Sequence, residues 1–87
     1  MREALEDFLN YETETIKELV LDLDQRIDRN RYQISSAESK IQRVDPESAE
    51  FEDTVSLIEH AKKRIQSLTY DRMVLDLELK RRLYFDK

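Results

Sequence analysis

The chain has 87 residues, 40% of them charged against 39% hydrophobic, with a formal net charge of −5, one proline and no glycine, cysteine or tryptophan. So small and polar a chain makes at most one domain with little interior, and an elongated helical hairpin, whose core is only a seam, suits it better than a compact globule. The missing cysteine excludes a disulfide framework and a thiolate metal site.

No apolar run exceeds the three residues of Leu19-Val20-Leu21, Met73-Val74-Leu75 or Leu83-Tyr84-Phe85, too short for a membrane-spanning helix or a signal-peptide core. A cytoplasmic or nuclear setting is therefore the expectation, with Met1 fitting a natural start, unless the chain is an excised piece of something larger. Disorder competes as a reading of so much charge. It loses because apolar residues recur at helical spacing along the whole chain.

In the first half, Leu5, Leu9, Glu12, Ile16, Leu19, Leu23, Ile27, Asn30, Ile34, Ala37, Ile41 and Val44 step by three and four residues, the mark of one helix face. Two adjoining steps of four at Leu19-Leu23-Ile27 locally unwind a supercoil. The spacing predicts a helix from about residue 2 to about 43.

The only break follows, at Asp45-Pro46. Asp is a good N-cap, proline fits the first helical position, and proline drives the residue before it out of the helical region. Glu47, Glu50, Glu52 and Asp53 then place negative charge where the helix dipole favours it. A turn over about 44–46 and a second helix over about 46–85 are expected. A kinked continuous helix is the alternative.

In the second helix Phe51, Thr54/Val55, Ile58, Ala61, Ile65, Leu68, Arg72, Leu75, Leu79 and Leu83 line one face. Folding about Pro46 sets Ile41 near Phe51, Ile34 near Ile58, Leu23 near Leu68 and Ile16 near Leu75. Asn30 falls opposite Ala61, and Arg72 close to Leu19 with Glu18 and Asp22 in reach. Polar residues in a seam set register at some cost in stability, the role expected of Asn30 and Arg72.

From Tyr70 onward a second apolar stripe appears on the opposite face of this helix: Tyr70, Met73, Val74, Leu77 and Tyr84. One hairpin cannot cover both faces. The stripe calls for a partner, most simply a second copy, giving a four-helix bundle at the terminal end. A different helical protein docked on the same stripe is the first alternative.

Charge is laid out in blocks. The hairpin tip carries Asp45, Glu47, Glu50, Glu52, Asp53 and Glu59, and below it Arg26, Arg29 and Arg31 face Lys62, Lys63 and Arg64. Local pairs such as Asp22–Arg26, Glu59–Lys63 and Asp76–Lys80 account for part of this. The basic belt could also receive an acidic partner, which makes a binding module for a polyanion, nucleic acid or an anionic membrane surface, the second alternative. The acidic net charge and the lack of interleaved aromatics disfavour a nucleic-acid binder. The end, Lys80-Arg81-Arg82-Leu83-Tyr84-Phe85, lacks the broad basic face of a membrane-surface helix.

Catalytic, metal and cofactor residues are not expected. His60 is the single histidine, so neither a Glu-x-x-His pair nor an HExxH motif can be built, and without glycine there is no phosphate-cradling loop. Asp22 and Asp24 lie on different helix faces with no pocket between them. The expectation is an all-α protein: a single domain of two long helices in an antiparallel coiled-coil hairpin, dimerising into a four-helix bundle. It would act as a non-catalytic assembly or adaptor module.

Overall fold

A computed structural model describes residues 8–85. Two helices, α1 (Thr13–Ile41) and α2 (Ala49–Phe85), pack against each other over their length as an antiparallel hairpin, preceded by a single 3-10 turn at Phe8–Asn10. The molecule measures 59 × 21 × 15 Å. Its long dimension is close to the roughly 56 Å that 37 helical residues span at 1.5 Å each.

The seam follows the apolar periodicity. Ile16, Leu23 and Ile27 of α1 form one buried cluster with Leu68 and Leu75 of α2, flanked by half-buried Tyr11, Leu19, Val20, Ile65 and Leu79. Toward the tip the seam thins to small side chains, with Ala37, Thr54 and Ala61 buried. There Lys40 reaches across the turn to an exposed ion pair with Glu50 at 3.0 Å.

Three boundaries differ from the sequence expectation. The first helix starts at Thr13, not near residue 2, because Glu12 is extended with φ −65° and ψ 151°. Leu9 and Glu12, placed in the seam by spacing, are exposed, and Leu5 lies outside the described residues. The turn is longer than 44–46, running over residues 42–48.

The second helix begins after Ser48, not at Pro46. Asp45 and Pro46 instead build a β-turn: the Ser48 N–H donates to the Asp45 carbonyl at 3.0 Å, and the Glu47 N–H to Asp45 Oδ1 at 3.0 Å. Asp at the first position and Pro at the second suit such a turn. Ser48 then caps α2, its Oγ accepting from the Phe51 N–H at 3.2 Å and donating to the Asp45 carbonyl at 2.7 Å. No described residue takes a positive φ, so the turn needs no glycine.

At the far end, Leu83 was expected in the seam but is 70% exposed. Arg82 takes that place. Its guanidinium donates to the carbonyls of Tyr11 at 2.6 Å and Leu9 at 3.1 Å and to Thr13 Oγ1 at 3.3 Å. The last turn of α2 thereby ties down the chain entering α1, whose first turn has no side-chain cap of its own.

Candidate functional site

Two surfaces stand apart from the seam: the outer face of α2 in its terminal half, and one groove between the helices below the tip. On the outer face Tyr70 is 58% exposed, Met73 50%, Leu77 57% and Tyr84 82%. Val74, grouped with them by spacing, is half-buried. Tyr84 rests against Phe85, their ring centroids 5.8 Å apart, and both rings remain open to solvent. The charged neighbours of the stripe are already satisfied within α2: Lys80 pairs with Asp76 at 3.1 Å and Arg81 with Glu78 at 2.5 Å.

The basic belt does not form one continuous surface. Arg26 and Arg29 of α1 and Arg64 of α2 line a groove of about 400 Å³ together with Asn30, Ser67 and Leu68. Lys62 and Lys63 lie instead on the outer side of α2, beside Glu59 and Gln66. Arg31 is exposed and lines neither depression. Of the expected local pairs, Asp22–Arg26 forms at 2.9 Å and Asp76–Lys80 at 3.1 Å, while Glu59–Lys63 is not among the ion pairs of the described residues.

Of the two polar seam residues, Asn30 is buried, its Nδ2 donating to the Arg26 carbonyl at 2.8 Å and its Oδ1 left without a donor. Arg72 is half-buried and pairs with Asp24, not with Glu18 or Asp22. The Asp24 carboxylate, by hydrogen bond and then by charge, pushes the Arg72 guanidinium above its ordinary range. Stability gained from a raised pKa is complete below the unfolded value and is lost only as pH climbs past the folded one. Here that window lies in strong alkali, so Arg72 stays charged throughout the physiological range.

Two residues that spacing alone did not reveal are Asp71 and Glu78, each only 4% exposed on the seam side of α2. Glu78 is held by Arg81, with Arg82 3.7 Å away. The available signal was their i, i+7 separation on the row that also holds Leu75 and Arg82, but both read as solvated charges in a charged helix.

Among the described residues, no group of three or more His, Cys, Asp or Glu side chains could hold a metal ion. His60 Nδ1 lies 2.7 Å from the Ser56 carbonyl one turn back on its own helix. No described helix is long and apolar enough to cross a membrane. Comparison with known proteins finds no matching family, curated protein or solved structure.

Proposed function

We propose that the hairpin is a non-catalytic assembly module that pairs with a second copy of itself through the outer face of α2, giving a four-helix bundle over its terminal half. The observation that carries this reading is the run of Tyr70, Met73, Leu77 and Tyr84, half or more exposed at helical spacing on a helix whose other face is already buried. Exposed apolar residues are ordinary when scattered, but a contiguous stripe on one face marks an interaction surface.

Two features favour a second copy as the occupant. The core is thin: Ile16 and Leu75 are the largest fully buried side chains, and chains of this size commonly gain stability by oligomerising. The charges flanking the stripe are neutralised within α2, so two identical faces meet about a two-fold axis without like-charge repulsion.

The test is mass in solution at micromolar concentration, by sedimentation or light scattering. The native chain should be a dimer, and Met73→Glu with Leu77→Glu should give a monomer that keeps its helical circular dichroism, since both side chains are half-exposed in the hairpin. A native monomer would instead assign the stripe to a different helical protein. A dimer that survives the double change would place the contact elsewhere on the hairpin.

A further inference from the structure

We propose that the groove between Arg26, Arg29 and Arg64 is a binding site for a phosphate monoester. Arg26 and Arg29 of α1 and Arg64 of α2 line one depression of about 400 Å³ between the helices, together with Leu68, Asn30 and Ser67. Arg26 and Arg29 are three residues apart on one helix, where like charges repel, and Arg64 adds a third positive charge from the facing helix. A chain with 20 acidic residues against 15 basic ones has carboxylates to spare for such a cluster. Within the cluster, Asp22 pairs with Arg26 at 2.9 Å. No ion pair reaches Arg29 or Arg64 among the described residues.

The charge left over selects the ligand. With Arg26 held by Asp22, two guanidinium charges remain, matching the roughly −1.5 to −2 of a phosphate monoester at pH 7. A guanidinium presents its donors in a planar fork that suits phosphate oxygens in bidentate fashion, and the Ser67 hydroxyl adds one more donor at the rim. A carboxylate would neutralise only one of the two charges.

A nucleic-acid strand fits less well, because the groove's basic residues are not continued along the surface. Lys62 and Lys63 share their face with Glu59 and Gln66, so a backbone leaving the groove finds no further positive track.

The experiment follows the Arg Nε–H signals and the Ser67 amide by two-dimensional NMR at low ionic strength, with inorganic phosphate added first and acetate at matched ionic strength as the control. Saturable shifts of Arg29, Arg64 and Ser67 with phosphate and not with acetate are expected. Glycerol 3-phosphate and a neutral peptide bearing one phosphoserine then separate the two sources of the group, a small phosphorylated metabolite and a modified protein, by which binds more tightly. Arg29→Gln with Arg64→Gln should weaken the tighter probe about tenfold or more, the loss expected for charge-assisted hydrogen bonds. Lys62→Gln with Lys63→Gln should leave it within about twofold, as expected for charges outside the groove.

Absence of saturable shifts, equal shifts with acetate, or equal losses from the two double variants would overturn the proposal. Tighter binding of a single-stranded oligonucleotide that depends on Lys62 and Lys63 would overturn it in favour of a nucleic-acid surface.

Discussion

Asn30 occupies a seam position that a leucine would fill at no polar cost. Its Nδ2 is satisfied one turn back on α1, but its Oδ1 has no donor, and an unsatisfied buried acceptor costs about 1–3 kcal/mol. Asn30→Leu should therefore raise stability by about 1 kcal/mol in chemical denaturation. It should also loosen the register, visible as doubled or broadened amide signals from the seam, because a polar residue in a helical seam specifies one alignment over its neighbours. Unchanged or lower stability would mean that a bound water already satisfies the amide. Arg82 and Glu78 show the opposite economy. Both are charged and well buried, yet each has partners, and together they secure the entry to α1.

At the scale of the element, the turn divides between two residues the work that sequence reading assigned to Asp45 and Pro46. Asp45 closes the turn through its carbonyl and Oδ1, and Ser48, three residues on, caps the helix. Ser48→Ala should cost about 1 kcal/mol by thermal or urea unfolding, the usual loss for a capping hydroxyl. Asp45→Ala should act on the turn with little change in the helicity of α2. Equal effects on the helix from both would mean that Asp45 caps it as well. α2 starts three residues later than expected because Asp-Pro opens a β-turn as readily as a helix, and the two share their first residues. The late start of α1 has a different cause. Leu9 continues the apolar spacing, but spacing alone does not supply a cap, and the backbone at Glu12 is extended.

For the molecule as a whole, α1 buries one face, while α2 carries apolar residues on two. The proposed dimer predicts a melting temperature that rises with protein concentration, since association stabilises by mass action. A melting temperature constant over a hundredfold range of concentration would argue against a dimer that contributes to folding. The stripe itself was legible in the sequence, since Tyr70, Met73, Leu77 and Tyr84 are at helical spacing and are exposed on one face. The arginine-lined groove was legible only in part. The sequence groups six basic residues in one belt, whereas the fold draws three of them into a groove and turns the others away.

The sequence by itself determined the two helices, the place where they turn back, and the apolar core residues from Ile16 to Leu75. These follow from 3.6-residue periodicity and turn chemistry, which are local properties of the chain. Only the tertiary structure decided that Arg72 meets Asp24, that Asp71 and Glu78 are buried, and that Arg64 lines a groove with Arg26 and Arg29 while Lys62 and Lys63 do not. Each depends on how far one helix is rotated and slid against the other. That choice is made by packing across the whole seam, and the spacing within either helix does not contain it.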